Sequence, residues 1–240
     1  MADIIPRNVA TVPSVEIRQN PRAKRLTLRI DKHHAVPVLT VPKGISMGQI
    51  QSFLDKHKGW IADRVAALPE GIRLVPDAAF PFRGAPHIIR HEAGFPREPL
   101  ACEGEVRLGG PVDHVEPRVL RWLRRCARTR LVERATYHAQ SLGVSIGRIS
   151  VRDTKSRWGS CTATGNLNFS WRLILAPDAI LDYVAAHEVA HRVEMNHSPR
   201  FWAEVDRLCA NRSAARQWLR RHGDGLMRIG PPPGGESAAD

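Results

Sequence analysis

The stretch His187-Glu188-Val189-Ala190-His191, followed by Asn196-His197-Ser198-Pro199, decides how this chain is interpreted. Residues four apart on a helix project from one face with their β-carbons about 6 Å apart, so both imidazoles of the motif can reach one metal ion. Glu188 points about 100° round the helix, where its carboxylate can contact a water on the metal without ligating the metal. With 11 His and 12 Glu in 240 residues, composition alone produces an H-E-x-x-H pattern with a probability of roughly 0.025.

The sequence around the motif predicts a mostly buried helix that ends before residue 197. Pro177 suits the first helical position, and Ser198-Pro199 is typical of an N-cap followed by an N1 proline that opens a new helix. The chain is therefore expected to turn between Asn196 and Ser198, which favours His197 as a third protein ligand. Glu194 stays open as an alternative ligand, or as a carboxylate that orients an imidazole.

Three neutral imidazoles that leave a fourth position for water are typical of a catalytic zinc site. We therefore expect one Zn²⁺ per chain, with His187, His191 and His197 as ligands. Glu188 would take the proton from the zinc-bound water and pass it to the leaving group. Four more side chains are candidates by type for binding substrate or the oxyanion: Arg157, Asn168, Arg172 and Tyr183.

The patterns along the rest of the chain predict an α+β protein. Alternating apolar residues predict a hairpin within 15–42, and Ser46 with Gln49 forms a capping-box signature that opens a helix over about 46–68. Short strands are expected in the Pro- and Gly-rich part before residue 117, then an amphipathic helix over 118–142 and a strand over Leu167–Leu173. This last strand is expected to be an antiparallel edge strand that could receive an extended peptide.

These elements suggest a division into a β-rich N-terminal region, 1–117, and a metallohydrolase core, 118–229. The remaining residues, 230–240, are rich in Pro, Gly, Ser and Ala and are expected to form a disordered tail. No apolar stretch of signal-peptide or membrane-spanning length is found, and the four cysteines form no CxxC pair. We therefore expect a soluble cytoplasmic protein with no membrane partner.

The chain is strongly basic, and its positive charge is unevenly distributed along the sequence. The formal net charge is +12, with 30 Arg and only 6 Lys, and residues 118–142 alone hold seven Arg and one Glu. This charge is either a solvated helix surface or a surface for an acidic partner or substrate. Nucleic acid is a conceivable partner, but no nucleic-acid-binding motif supports it.

Several segments together resemble the YgjP-like family, a bacterial group of zinc metallopeptidases related to the WLM group. The resemblance rests on Arg157-Trp158-Gly159-Ser160-Cys161, on Asn168 to Pro177, on Tyr183 to His191 and on Asn196 to Trp202. It implies a minimal zincin-like core, made of a helix, a short antiparallel sheet, the H-E-x-x-H helix and C-terminal helices, after a small β-rich region with one helix. It also implies metal ligation by His187, His191 and His197, with Glu188 as the general base.

Two other hydrolase functions stay open beside the metallopeptidase. One is a metal-dependent nucleoside triphosphate pyrophosphohydrolase, in which Arg157 and Arg172 would hold the phosphates. The other is a SprT-like protease that acts on DNA-bound proteins. An inactive interaction module conflicts with the intact Glu188. The sequence leaves open the choice between peptide and nucleotide, the oligomeric state, the metal used in the cell and the role of the loop Trp158-Gly159-Ser160-Cys161.

Overall fold

The computed structural model describes residues 15–31, 34–154 and 156–231. They form an α+β fold, which confirms the predicted class, and the chain divides between Glu70 and Gly71 into two compact units. No helix in the described part of the chain is both long and apolar enough to cross a membrane.

The first unit joins one sheet to one helix. Its strands are β1 (Glu16–Gln19), β2 (Thr27–Asp31) and β3 (Val36–Val41), with β3 in the centre, antiparallel to β2 and parallel to β1. The β2–β3 pair confirms the predicted hairpin. Helix α1 (Met47–Ala66) begins with the predicted capping box, in which the Gln49 N–H donates to Ser46 Oγ and the Ser46 N–H donates to the Gln49 side chain.

The second unit begins with a four-stranded sheet in the order β4-β5-β7-β6. Its strands are β4 (Ala79–Phe82), β5 (Ala85–His91), β6 (Leu100–Cys102) and β7 (Glu105–Leu108). Helix α2 (Val115–Leu142) follows and starts three residues before the predicted position. The buried side chains Phe80, Ile89 and Val106 share one apolar core with this helix.

The boundary placed at residue 117 by the sequence therefore lies inside the second unit. The Glu116 carboxylate, in the first turn of α2, accepts a hydrogen bond from the Leu74 N–H at 3.1 Å and pairs with the Arg73 guanidinium at 2.5 Å. The Pro- and Gly-rich strands before α2 thus depend on that helix for their core, and the chain separates instead at Glu70.

The second unit also contains a three-stranded sheet, which lies next to the helix that carries the H-E-x-x-H motif. Its strands are β8 (Ile149–Arg152), β9 (Gly159–Cys161) and β10 (Leu167–Ser170), in the order β8-β10-β9. The sheet is mixed rather than wholly antiparallel, because β10 runs parallel to β8. The strand predicted over Leu167–Leu173 is also too long: it ends at Ser170, and a 3₁₀ helix covers Trp171–Leu175. All five side chains of that turn are buried, so tertiary packing overrides the alternating pattern.

Three helices complete the second unit. They are α3 (Asp178–Ala190), α4 (Pro199–Leu208) and α5 (Arg212–Met227), and α3 packs against α2, α4, α5 and β9. At the start of the predicted tail the Gly230 N–H donates to the Ile72 carbonyl at 2.8 Å. The rest of that tail, from residue 232, lies outside the described residues.

Candidate metal centre

Helix α3 presents two imidazoles from one face. It begins at Asp178, one residue after the predicted start, and places the rings of His187 and His191 5.1 Å apart between centroids. The ring of His191 lies at the end of the helix, because this residue is its C-cap. The four-residue spacing therefore has the geometric effect that the sequence predicts.

The chain then turns back and brings a third imidazole to the same place. Helix α3 stops at Ala190, and α4 starts at Pro199 after Ser198, whose Oγ accepts from the Phe201 N–H at 3.3 Å. The Nε2 atom of His197 consequently lies 3.2 Å from Nε2 of His187. One ligand atom from each of His187, His191 and His197 falls within 4.8 Å of the others.

Glu194 has a different role from either of those considered in the sequence. Its carboxylate is not a member of the histidine cluster in the described part of the chain. Its backbone carbonyl instead lies 3.1 Å from His191 Nδ1. Since a carbonyl oxygen can only accept, Nδ1 carries the hydrogen and Nε2 keeps its lone pair for a ligand. The orienting group is thus the main chain at Glu194 and not its side chain.

Burial keeps the histidines of α3 neutral. Burial, together with repulsion from the other two histidines and from Arg216, lowers the pKa of His187 to about 3. Burial also lowers the pKa of His191, although the Glu194 carbonyl acts in the opposite direction. A neutral imidazole is the form that binds a metal. His187 is therefore in the ligand form well below neutral pH, and burial shifts His191 in the same direction.

Two aromatic residues at the start of α4 hold the imidazoles in place. The ring of Phe201 is fully buried and stacks on His191 at 4.5 Å, while the ring of Trp202 stacks on His197 at 5.5 Å. The sequence pattern identifies both residues only as apolar positions of a helix. Their contacts with the histidine cluster depend on the path of the chain through residues 191–198. Helix propensity and the apolar pattern do not show these contacts.

Glu188 lies on the neighbouring face of α3 and is also buried, with an exposed fraction of 5%. Burial raises the pKa of its carboxyl to about 8, while the charge of Arg157 acts to lower it. The carboxylate packs against Gly159 of β9: a Cβ at that position would lie 2.5 Å from Oε1 and 2.8 Å from Cδ. Only glycine leaves room for Glu188, which gives a role to the loop that the sequence leaves unassigned.

Strand β9 forms the open edge of its sheet next to Glu188. The Ser170 N–H donates to the Trp158 carbonyl and the Thr162 N–H to the Asn166 carbonyl, so the main chain of residues 158, 160 and 162 faces β10. The N–H and C=O groups of Gly159 and Cys161 consequently point away from β10. The edge strand next to Glu188 is therefore β9, with β8 at the opposite edge, and the sequence is wrong in giving an edge to Leu167–Leu173, since β10 is the central strand.

Two of the other candidate side chains lie near Glu188 or near the histidine cluster. Arg157 is close enough to Glu188 for its charge to act on the pKa of that carboxyl. Tyr183, one turn before His187, is buried with its ring 6.0 Å from that imidazole, and burial raises the pKa of its hydroxyl.

The remaining two candidates are directed elsewhere. Asn168 pairs with Ser160, whereas Phe169 pairs with Gly159, the residue that contacts Glu188. Because successive side chains of a strand alternate between faces, Asn168 points to the face of the sheet opposite Glu188. It is therefore not placed to bind an oxyanion at this centre.

Arg172 is an internal structural residue. Its side chain is fully buried, pairs with Asp153, and donates to the Ile229 and Pro231 carbonyls at 3.3 Å. Desolvation by burial lowers the pKa of its guanidinium, against the stabilising effect of Asp153. The sequence is wrong in offering Arg172 as a substrate or phosphate ligand, because no substrate can reach it.

Most of the arginines of α2 are occupied within the unit. Their partners are backbone carbonyls or carboxylates: Gly109 for Arg118, Asp153 for Arg124, Glu98 for Arg125, Ile149 for Arg128, Glu133 and Asp178 for Arg130, and Asp182 for Arg134. Their charge therefore serves largely to join α2 to neighbouring elements.

The donor set of the cluster fits a zinc ion. Two nitrogens that bind a tetrahedral zinc at 2.0–2.1 Å lie about 3.4 Å from each other, close to the 3.2 Å between His187 Nε2 and His197 Nε2. His187 Nδ1 is buried and has no hydrogen-bond partner in the described ranges, so burial of this ring is not explained by hydrogen bonding alone.

The comparison with protein families identifies a metallopeptidase domain in this chain. A family model described as "YgjP-like, metallopeptidase domain" matches residues 24–222. Among solved structures, the chain is similar to the metallopeptidase zymogen abylysin of Pyrococcus abyssi, with 20% identity and a TM-score of 0.35 over 42% of this chain and 98% of that one. No curated protein matches the chain.

Proposed function

The chain belongs to the YgjP-like family of metallopeptidase domains, and from this we propose that it is a zinc-dependent peptidase. His187, His191 and His197 would hold the metal, and Glu188 would act as the general base. The observation that carries the proposal is the position of Glu188, which is buried, follows the candidate ligand His187 directly in α3 and packs against Gly159 of the edge strand β9.

The edge of β9 supports a peptide as the substrate. An extended peptide can add to a sheet edge through main-chain hydrogen bonds. Gly159 and Cys161 offer N–H and C=O groups of the right kind on the open side of the strand. A peptide bound there would pass beside Glu188, because Gly159 packs directly on that carboxylate.

Each group of the site then has a chemical task. A zinc ion held by the three imidazoles would supply a Lewis acid that polarises the scissile carbonyl and acidifies a nearby water. Burial alone raises the pKa of the Glu188 carboxyl to about 8, and the positive charge of a bound metal would favour its ionised form. As a carboxylate, Glu188 takes the proton from the attacking water and delivers it to the leaving amine, so the same group acts first as base and then as acid. The Glu194 carbonyl holds the His191 ring in the tautomer that presents Nε2.

The two alternative functions have less support. The pyrophosphohydrolase requires side chains to hold the phosphates, and Arg172, one of the two residues considered for that task, is buried and paired with Asp153. The protease of DNA-bound proteins requires a basic surface, but the arginines of α2 mostly have partners inside the unit. We therefore favour a peptidase whose action does not depend on DNA.

The test is hydrolysis of casein and, separately, of nucleoside triphosphates by the purified zinc-loaded protein. We expect casein fragments, and a loss of about 10²–10⁴-fold in rate for Glu188→Gln, the range that a general base contributes. Glu133→Gln is the matched control, since Glu133 is an exposed residue of α2. Casein hydrolysis that is equally fast with Glu188→Gln, or triphosphate hydrolysis without any peptide hydrolysis, would overturn the proposal.

A further inference from the structure

Two arginines of α5 lie against the indole that supports the metal centre. The Cζ atoms of Arg212 and Arg216 lie 4.6 and 4.9 Å from the ring centroid of Trp202. The same ring stacks on His197 with an interplanar angle of 26°. The two guanidinium groups and the His197 imidazole therefore all contact one indole.

The four-residue spacing explains why both arginines reach one ring. Residues four apart lie on the same face of a helix, and α5 begins at Arg212. Each guanidinium gains from its position over the electron-rich indole face. Ordering a long side chain costs conformational entropy, and the contact with the indole offsets that cost. It therefore fixes the direction of both arginine side chains.

The two arginines differ in what else they contact. Arg212 is part-buried, and its Nε lies 3.0 Å from a carboxylate oxygen of Asp206. Arg216 is exposed and has no carboxylate partner in the described ranges. The charge of Arg212 is thus largely balanced within the protein, and that of Arg216 is available to another molecule.

The charge balance at the centre shows what Arg216 could bind. It is close enough to act electrostatically on both His187 and Tyr183. Arg157 adds a second positive charge beside Glu188. The three ligand histidines carry no compensating negative charge. A substrate that brings an anionic group to the α5 side of the centre therefore meets an unpaired guanidinium that is already held in position.

We propose that Arg216, held on Trp202, is a specificity residue that binds a carboxylate of the peptide substrate close to the scissile bond. This inference rests on the proposed peptidase function and adds its substrate class, which is acidic peptides. An extended peptide rises about 3.4 Å per residue, so a carboxylate within a few residues of the cleaved bond is the group in reach. Either an Asp or Glu side chain or a free C-terminus can supply it.

The test compares the cleavage of peptides that differ only in one negative charge. A random library of ten-residue peptides, digested by the zinc-loaded protein and analysed by mass spectrometry, gives the sequence of the best-cleaved peptide. That peptide is then made with Gln in place of Glu, and with an amidated C-terminus. We expect kcat/KM to fall about tenfold in whichever form removes the recognised carboxylate, and this identifies its source.

The variant Arg216→Gln should remove the difference between the acidic and neutral forms, and Arg216→Lys should retain part of it. Arg221→Gln is the matched control, because it removes the same charge from an exposed position of α5 about 140° further round the helix. Melting temperature and bound zinc, measured on each variant, separate lost recognition from lost folding. The preference should also weaken as salt is raised.

The outcomes separate this inference from the proposed function. A wild-type protein that cleaves acidic and neutral peptides equally well would overturn the inference and leave the peptidase intact. So would a preference for acidic peptides that Arg216→Gln leaves unchanged. A wild-type protein that cleaves no peptide in the library would overturn the peptidase function itself.

Discussion

Gly159 and Glu188 fit against each other so closely that residue 159 has no space for a side chain. A Cβ there would overlap the carboxylate, at 2.5 Å from Oε1, 2.6 Å from Cγ and 2.8 Å from Cδ. Since Gly159 belongs to the edge strand β9 and Glu188 to the motif helix α3, this contact fixes the distance between the strand that would bind a peptide and the carboxylate that would act on it.

The first prediction follows from this contact. Gly159→Ala should displace the Glu188 side chain and lower kcat on casein by at least about tenfold, because a catalytic group must be held close to its productive geometry. Zinc content should be unchanged, since the three imidazoles are not touched. Ser160→Ala is the control, because Ser160 pairs with Asn168 and points to the opposite face of the sheet. Equal kcat for the Gly159→Ala variant and the wild type would contradict the role assigned to the contact.

The second prediction separates the two candidates for the third ligand. His197→Ala should lower zinc affinity strongly, because the Nε2 atom that lies 3.2 Å from His187 Nε2 is lost. Glu194→Gln should bind zinc as tightly as the wild type, because Glu194 orients His191 through its backbone carbonyl. Competition with a chromogenic zinc chelator measures both affinities. The reverse order of affinities would assign the third ligand to Glu194.

The third prediction concerns the pH dependence of stability in the metal-free protein. The pKa of Glu188 is about 8 in the folded protein and 4.5 without the fold. The folded state therefore holds a proton that the unfolded state releases, and the stability from this group declines as the pH rises from about 4.5 to 8. Between pH 4.5 and 7 the loss is on the order of 3 kcal/mol.

Chemical denaturation of wild type and Glu188→Gln, both in excess chelator, isolates this contribution. The variant carries no ionisable group at residue 188, so it should gain stability relative to the wild type as the pH rises through this window. The two proteins should differ by a nearly constant amount below about pH 4. A difference that does not change with pH would show that Glu188 keeps an ordinary pKa.

The fourth prediction tests Arg172 as a structural residue. Arg172→Met should lower the free energy of unfolding by about 3–5 kcal/mol, because it removes the guanidinium that pairs with the part-buried Asp153 carboxylate. It also removes the donors to the Ile229 and Pro231 carbonyls. Arg121→Met, at an exposed position of α2, should have little effect. If Arg172→Met instead keeps full stability and raises KM, Arg172 would contact the substrate after all.

The sequence predicts best those features that depend on local spacing. The four-residue interval between His187 and His191, the capping box at Ser46 and the Ser198-Pro199 helix start each depend on a few neighbouring residues. The turn before Ser198 favours His197 as the third ligand, and the structure brings that imidazole to the other two.

The features that the sequence did not predict depend on contacts between distant segments. Arg172 lies in an alternating pattern that resembles a strand, and only the arrangement of Asp153 and Ile229 around it shows that it is buried. β10 is central and β9 forms the edge next to Glu188 because β8 and β9 add to β10 from opposite sides, and no local pattern encodes that order. Gly159 and Trp202 gain their importance only from the elements packed against them.

The zinc content of the purified protein, measured by elemental analysis together with native mass spectrometry, tests the metal centre most directly. We expect about one zinc per chain in the wild type and in Glu188→Gln, and none in the variant with His187, His191 and His197 all replaced by Ala. The exposed replacement His114→Ala should retain the metal. A correctly folded wild-type protein that binds no zinc, or a triple variant that still binds it, would contradict the assignment of this centre.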